Sequence, residues 1–564
     1  MTIDASAAIG APSHKPKWHD TDWSKALRLV RRLQVRIVKA VKAGRWNKVK
    51  VLQRLLTHSW SAKLLAVRRV TENRGRKTPG VDGETWSTPG EKMNAVVSLR
   101  NGGYKPRPLR RVYIPKKNGK RRPLSIPCMR DRAMQVLYLM ALEPIAECLA
   151  DPNSYGFRKG RSTQDAIAQC FTALSRKTSA EWILEGDIKG CFDNFDHQWL
   201  ETYIPMDKGI LHKWLKSGYM EGNTYHDTDF GTPQGGLISP TLANMALDGL
   251  ETILKEAFPT RKGHPSHPKV NFVRYADDFI ITGCSRELLI NEVKPLVESF
   301  LKERGLQLSP EKTRVTCIRD GFDFLGFNLR KYNGKLLIRP SKESIRRLKA
   351  KISDILSRMK TAKAYSVVKT LNPIIQGWGN YYRHVVSKAI FNSLDHWLWT
   401  KLWRWSRRRH GNKSSRWIAK KYFCSVRGRR WVFYGKDEDG ARGTLRLFAL
   451  IPIRRHIKIR GMANPYDPDD ELYFESRADR RWAQELGSPK LKALYKRQNG
   501  KCLTCGTKVT RETGWNVHHL IERCQGGGDQ LWNLALLHPE CHRQVHTNGS
   551  EYDKLRAEMC VIKA

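Results

Sequence analysis

"VRYADDFIIT", residues 273–282, sets two aspartates side by side inside an apolar run. Val273, Phe279, Ile280 and Ile281 have the composition of a buried strand or hairpin, where like charges repel and each loses hydration. Adjacent carboxylates become reasonable at such a turn when divalent cations neutralise them. Two ions about 3.5–4 Å apart can activate an attacking 3′-hydroxyl and stabilise a leaving pyrophosphate. Such a site needs a further carboxylate from a neighbouring strand. "WILEGDIKGCFDNFDH" (182–197) offers one: Trp182, Ile183 and Leu184 lead as a strand into Asp187, and the chain turns at Gly190. An acidic pair alone is commonplace on surfaces. An apolar strand ending in Asp187 together with Asp277 and Asp278 is far more specific.

Outward from this pair, a length of 564 residues predicts about three or four domains at roughly 150 residues each. The balance of 102 Lys and Arg against 54 Asp and Glu gives a formal net charge of +48. An excess of that size repels itself unless a polyanion neutralises it, so nucleic acid is the expected partner. No stretch approaches the ~18 unbroken apolar residues of a spanning helix, and the Ala-rich start lacks a basic region followed by an apolar run. No membrane association is expected. The 12 cysteines are mostly scattered, as in a reducing compartment; only Cys502 and Cys505 form a close pair, which favours metal over a disulfide.

Residues 1–20 are small and polar and read as disordered. From Trp23 onward, Leu27, Val30, Leu33, Ile37 and Val41 mark a helical stripe, and no acid occurs between Ser24 and Val70. Arg31 and Arg32, with Lys25, Arg28, Arg36, Lys39 and Lys42, load the polar side; a plain solvated face usually mixes signs, so nucleic-acid contact is expected here. "NRGRKTPGVDGETW" (73–86) is a loop, and "RPLRRVYIPKKNGKRRPLSIP" (107–127) reads as a hairpin turning at Asn118-Gly119. After Pro340 the pattern is helical over 342–360, 364–384 and 389–410. Residues 401–431 hold many Lys and Arg, several Trp and no acid, with Arg407, Arg408 and Arg409 in series. Such interleaving suits phosphate contact and base stacking. "NPYDPDDELYF" (464–474) reads as a linker, and 488–564 as a separate small module.

That module contains "KCLTCGTKVTRETGWNVHHLIERCQGGGDQLWNLALLHPECHRQVH" (501–546). Cys502-x-x-Cys505 and His538-x-x-Cys541 have the paired spacing of a closed structural zinc site. Cys524 is near enough in sequence to compete with His538 as the fourth ligand. His542 and His546, four apart, share one helix face and can share a metal, with His518, His519 and Asn533 nearby. The bland alternative is a zinc knuckle with spare histidines.

Taken in order, these blocks resemble the reverse transcriptases encoded by bacterial group II introns, which act as maturases and as mobility enzymes. "NRGRKTPGVDGETW" is similar to the family's N-terminal block, and "GKRRPLSIPCMRDRAMQ" (119–135) and "SYGFRKGRSTQDAI" (154–167) to its finger blocks. "DIKGCFDNFDH", "GTPQGGLISPTLANMALDGLE" (231–251), "RYADDFII", "RGLQLSPEKTRV" (304–315) and "FDFLGF" (322–327) resemble its palm, and "QGWGNYYRH" (376–384) its thumb, or domain X. The C-terminal module resembles an HNH endonuclease. The resemblance implies a multidomain α/β chain: a right-hand polymerase with fingers and palm, an α-helical thumb, and a small ββα-metal HNH zinc module. Its expected divisions are a basic helical extension (1–72), fingers and palm (73–340), thumb or domain X (341–450), a DNA-binding or linker region (451–487) and the nuclease (488–564).

By the same match, Asp187, Asp277 and Asp278 hold Mg2+. Phe192, five residues beyond Asp187, is the ring that crowds a 2′-hydroxyl, unless it is ordinary core. Gln234 approaches the incoming nucleotide. Lys116 and Arg122 hold its triphosphate, with Lys117, Lys120 and Arg121 as alternatives. Arg158, Lys159 and Arg161 touch template or primer, or else form a solvated loop. His518, His542 and His546 bind a catalytic Mg2+ or Mn2+, His519 deprotonates water, and Asn533 orients its loop. Structural Zn2+ sits on Cys502, Cys505, His538 and Cys541, with His538 standing where many relatives have cysteine.

The implied biology is a protein of the bacterial cytoplasm, associated with the nucleoid when acting on DNA. It would bind its own intron RNA, assist splicing and stay with the lariat. The RNA would enter one strand of target DNA, the nuclease would nick the other, and the polymerase would copy from that 3′ end using dNTPs. Splicing assistance rests on the resemblance alone, because RNA chaperoning leaves no catalytic signature. Oligomeric state, a dimer included, is left open. One rival is an RNA-binding splicing factor with silent enzymatic domains, which would lose the aspartates or the histidines. Another is an HNH nuclease on a basic scaffold, which would not need the polymerase blocks.

Overall fold

Asp187 and the Asp277–Asp278 pair meet because apolar strands carry them to one end of a single sheet. In the computed structural model, which describes residues 17–73, 75–115, 121–259, 268–426, 428–477, 489–510, 513–522 and 525–547, strand Trp182–Asp187 pairs antiparallel with Asp278–Gly283. Asn271–Tyr275 flanks it on one side and Arg314–Cys317 on the other. Side chains alternate across the sheet, as a period of two requires. Leu184, Phe272, Phe279 and Ile281 enter one hydrophobic core, whereas Ile183, Val273 and Ile280 enter a second. Both faces are covered, which is why the run reads as continuously apolar.

The first core also takes in the helices before and around the palm. The basic stripe divides into Trp23–Lys42, Trp46–His58 and Trp60–Glu72, which pack with helix Met129–Leu149. The Asp22 side chain caps the first of them by accepting from the Lys25 amide at 2.8 Å. The expected disorder of residues 1–20 does not hold for 17–20: Trp18 is buried edge-on against Trp23, ring centroids 4.9 Å apart. The finger hairpin forms from Leu109–Pro115 and Arg121–Ile126 with Val112 opposite Leu124. Residues 116–120, which include Lys116 and the expected Asn118-Gly119 turn, lie outside the described residues.

The second core joins the palm to helices Lys342–Arg358, Ala364–Tyr382 and Lys388–Arg409, the three segments that periodicity predicts. Beyond them comes a three-stranded sheet, Phe423–Val426, Arg429–Lys436 and Arg442–Thr444, unforeseen because its short strands begin within the Lys- and Arg-rich run and are broken up by glycines. The stretch 464–474, expected to be a linker, is instead fastened to the molecule. Asn464, Tyr466 and Asp467 are buried, the Tyr466 hydroxyl donates to Glu143, and Arg31 donates to the Pro465 carbonyl at 2.8 Å. Its Pro and Asp residues look solvent-loving, but partners distant in sequence satisfy them.

The last module has its own small core of Leu494, Val509, Leu520, Leu536 and Val545. Strands Asn516–His519 and Leu534–Leu537 form a hairpin that leads into helix Pro539–Thr547. Among the described residues no helix is long and apolar enough to cross a membrane.

Candidate active sites

The palm site is a collision of like charges held by the fold. Asp187 stands directly opposite Asp278 in the antiparallel register, the arrangement that most disfavours two carboxylates. Ala276 takes a left-handed φ of 59° at the turn, and Gly156 leaves room for it: a Cβ there would come within 2.3 Å of the Ala276 amide. Partial burial, then repulsion from Asp277 and Asp187, pushes the Asp278 carboxyl up to about 7. Burial, then Asp187, also raises Asp277, against the opposing charges of Arg122 and Lys312. Lys312 extends its ammonium to 2.7 Å from Asp187. Sequence reasoning missed this residue: it lies inside a palm block, but nothing in its spacing announces that it faces Asp187. Three convergent carboxylates, with Asp277 and Asp278 raised in proton affinity and Asp187 beside the Lys312 ammonium, fit divalent cations, which would replace a proton or an ammonium there.

Around the carboxylates, the structure links several expected nucleotide contacts. Arg122 Nε donates to Gln234 Oε1 at 2.8 Å, and Gln234 Nε2 donates to both Asp193 oxygens at 2.9 Å. Asp193 is a further member that the sequence did not single out. The Gln234 loop is clamped by the Ser125 amide on its own carbonyl (2.7 Å) and by the Thr232 amide on the Phe192 carbonyl (2.7 Å). Gly235 adopts φ 129°, and a Cβ there would approach the Ser125 carbonyl to 2.4 Å. Phe192 is half-buried and meets Phe157 edge-on at 6.3 Å. The fingers' other cations need correction. Arg158 and Arg161 face neither nucleic acid nor solvent; both are buried on Glu147, each with an NH group 2.9 Å from Oε2. Lys159 donates to the Tyr466 hydroxyl at 2.9 Å. Tertiary carboxylates, invisible in the local sequence, claim these side chains. Among the proposed RNA contacts, Arg32, Arg407 and Arg408 are exposed. Arg31 holds Pro465, and Arg409 donates to the Ala362 carbonyl while lying over Trp405.

The C-terminal module gathers its ligands into two separate clusters. Cys502, Cys505, His538 and Cys541 bring their ligand atoms within 4.8 Å of one another. A tetrahedral zinc with bonds of about 2.3 Å would separate its ligands by about 3.8 Å. The His538 Nδ1 lies 3.2 Å from Cys505 Sγ and 4.0 Å from Cys541 Sγ, and its Nε2 is spent on the Lys508 carbonyl at 3.1 Å. The set fits zinc, with Nδ1 as the nitrogen ligand. Cys524 lies outside the described residues.

His518, His542 and His546 form the second cluster, ring centroids 4.7 to 5.2 Å apart. Burial, then the neighbouring His542 and His546, pushes His518 down to about 4, so the neutral, metal-ligating form prevails at neutral pH. His519, one residue on along the strand, points elsewhere, its Nε2 2.9 Å from Asp529 Oδ1. Asp529 is the partner that sequence reasoning did not anticipate. Fully buried Asn533 accepts from the Ile521 amide at 2.6 Å and donates to the Gly528 carbonyl at 2.8 Å. It thereby closes the loop that carries Asp529 onto the strand that carries His519.

Four family descriptions match these regions. "Reverse transcriptase (RNA-dependent DNA polymerase)" covers residues 114–329, and "N-terminal domain of reverse transcriptase" covers 18–99. "Group II intron, maturase-specific domain" covers 345–423 and "HNH endonuclease" 502–548. The chain is similar to protein YkfC of Escherichia coli, at 34% identity over 322 residues that take in 50% of this chain and 83% of that protein. It is also similar to the group II intron-encoded protein LtrA of Lactococcus lactis subsp. cremoris, at 28% identity over 583 aligned positions, 85% of this chain and 93% of that protein. A putative COX1/OXI3 intron 1 protein of Saccharomyces cerevisiae is 31% identical over 321 residues, 47% of this chain and 38% of its own.

Proposed function

The chain belongs to the group II intron-encoded proteins that join reverse transcriptase, maturase and HNH endonuclease domains, and we propose that these parts serve one intron RNA and one DNA target in turn. One observation carries the reading: two reactive clusters stand complete in one chain, the carboxylates at the palm strand ends and the imidazoles of the C-terminal helix. A splicing factor with silent domains would have no need to retain either.

In this reading Asp187, Asp277 and Asp278 hold Mg2+, which when bound acidifies the primer 3′-hydroxyl and offsets charge on the departing pyrophosphate. Lys312, paired with Asp187 in the structure, would have to release that carboxylate for it to hold an ion. Arg122, with Lys116 of the same sequence block, draws in the triphosphate of a dNTP; Gln234, held between Arg122 and Asp193, lines the approach, and Phe192 leaves no room for a 2′-hydroxyl. In the nuclease, His518, His542 and His546 hold Mg2+ or Mn2+. His519 takes a proton from water at Nδ1 while Asp529 steadies its Nε2–H, and Asn533 keeps the two in register. Zn2+ on Cys502, Cys505, His538 and Cys541 has no reaction to perform; it fixes the module's fold. Exposed Arg32, Arg407 and Arg408 contact intron phosphates, whereas Arg31 and Arg409, already engaged within the protein, contribute less. The setting we propose is the bacterial cytoplasm, at the nucleoid during insertion, with divisions near residues 72, 340, 450 and 487.

The test follows both DNA strands separately. The purified chain, loaded with its intron RNA, is given a duplex target, dNTPs and Mg2+. The expected order is RNA insertion in one strand, a nick in the other, then copying from that nick. Copying without a prior nick, or no divalent-dependent cutting at all, would overturn the scheme.

A further inference from the structure

The nuclease helix Pro539–Thr547 has three working sides. Cys541 enters the zinc cluster, and His542 and His546 turn to His518. The third side, Glu540, Arg543 and Gln544, meets the other end of the chain. Glu540 is only 1% exposed, and its carboxylate accepts from the Trp18 indole Nε1 at 2.7 Å. Gln544 Nε2 donates to the His19 carbonyl at 2.8 Å and to that of Thr21 at 3.2 Å. Arg543 pairs with Glu540 and also reaches to 3.6 Å from Glu72. Glu72 is paired in turn with buried Arg68. Lys92 lies 5.6 Å over the Trp18 ring, and Arg68 lies 4.7 Å over Trp23.

A module hanging freely from the polymerase would keep such polar groups in water. Buried carboxylates and guanidinium groups are tolerated only where partners satisfy them, and here the partners come from both ends of the sequence. We propose that residues 18–21, with Glu72 and Lys92, form a seat that fixes the C-terminal metal module against the N-terminal helices. Glu540 and Trp18 are its positioning residues. They touch no reacting atom, but they set where the histidine cluster stands relative to the polymerase. That consequence rests on the nuclease reading above; the seat itself does not. Its role is to hold the second-strand cut at one fixed distance from the place where copying begins.

The experiment compares the full chain with Trp18→Ala and Trp18→Phe, the latter keeping a ring but losing the N–H donor. Amide hydrogen exchange of 539–547 should rise about tenfold in Trp18→Ala and less in Trp18→Phe. Protection in palm strands 182–187 and 278–283 should stay unchanged, and zinc should be retained. Unchanged exchange in 539–547 while that of 18–21 rises would overturn the seat. If Trp18→Ala loses palm protection as well, Trp18→Phe decides alone, by the same two readings. On a duplex target with intron RNA, the native chain should nick at one position and Trp18→Ala at several. The native position and rate in Trp18→Ala would overturn the positioning role. No cutting by the native chain would instead condemn the nuclease reading and leave exchange to judge the seat.

Discussion

At the scale of single residues, the palm site holds like-charge repulsion that a divalent cation would relieve. Asp277→Asn together with Asp278→Asn should lower cDNA synthesis at least about 10³-fold, because the loss of two metal-binding charges removes several kcal/mol of transition-state stabilisation. The same double variant should melt about 2–4 °C higher than the native chain in the absence of divalent metal, since its like charges are gone. Primer extension and metal-free thermal melts check both halves; continued synthesis, or a lower melting point, would count against this reading of the pair. Phe192→Ala should raise the use of ribonucleotides relative to deoxynucleotides about tenfold or more. An unchanged ratio would leave Phe192 as packing against Phe157. The convergence of the aspartates, and of the Cys and His clusters, was legible because charge in an apolar strand, or paired Cys and His, stands out from its surroundings. Arg158 and Arg161 were misread for the opposite reason. A basic loop looks the same in sequence whether it faces a phosphate or a buried Glu147, and only tertiary pairing decides.

At the scale of elements, periodicity located the three long thumb helices, because each buries one regular face, and apolar triplets on either side of Asn118-Gly119 located the two strands of the finger hairpin. It failed for the sheet at 423–444, whose short strands are interrupted by Arg and Gly, and for 451–477, where Ile451 and Ile459 reach the second core from an irregular chain held by polar bonds to distant residues. Asp165, on helix Thr163–Leu174, is the anchor of that segment. It receives the His456 ring at 2.8 Å, Arg477 at 2.6 Å and the Ile459 amide at 2.8 Å. Burial alone would raise its carboxyl, but the hydrogen bond and charge of His456 and the charge of Arg477 outweigh it and hold Asp165 down to about 2. A depressed carboxyl stabilises the fold above its unfolded value, near 3.9, and loses that contribution as pH falls toward the folded value. Asp165→Asn should therefore destabilise the segment by about 3–5 kcal/mol at pH 7, with the gap from the native chain narrowing by about 2–3 kcal/mol between about pH 4 and pH 2. Urea titrations at pH 7 and pH 3 check this; an equal gap at both would reject the ion-paired anchor. On helix Lys388–Arg409, neutralising Arg407 and Arg408 should weaken intron RNA binding and flatten its salt dependence by roughly one log–log unit for each phosphate no longer neutralised. An unaltered slope would make that helix end a solvated face.

At the scale of the whole molecule, two hydrophobic cores join fingers, palm and thumb, while the third belongs to the C-terminal module alone. That small core is closed by the four-residue Cys and His cluster, so the module's fold should depend on zinc while the rest of the chain does not. This separation allows the two C-terminal metal sites to be told apart in one protein. His519→Ala removes the proposed base and leaves all seven clustered ligands in place. Second-strand nicking should fall about 10²–10⁴-fold, with zinc content, RNA insertion and copying from a supplied primer unchanged. Cys502→Ser instead removes a buried zinc ligand. Zinc should be lost and residues 489–547 should become sensitive to protease, while a supplied primer is still extended, because neither palm core contains residues of this module. Trp18, deprived of Glu540, should then lose its protection from hydrogen exchange, so that unfolding one end is felt at the other. Native-rate nicking by His519→Ala would pass the role of base to another group, His518 first. Full zinc and protease resistance in Cys502→Ser would dissolve the four-ligand assignment, and an undisturbed Trp18 would show that the two ends of the chain do not depend on each other.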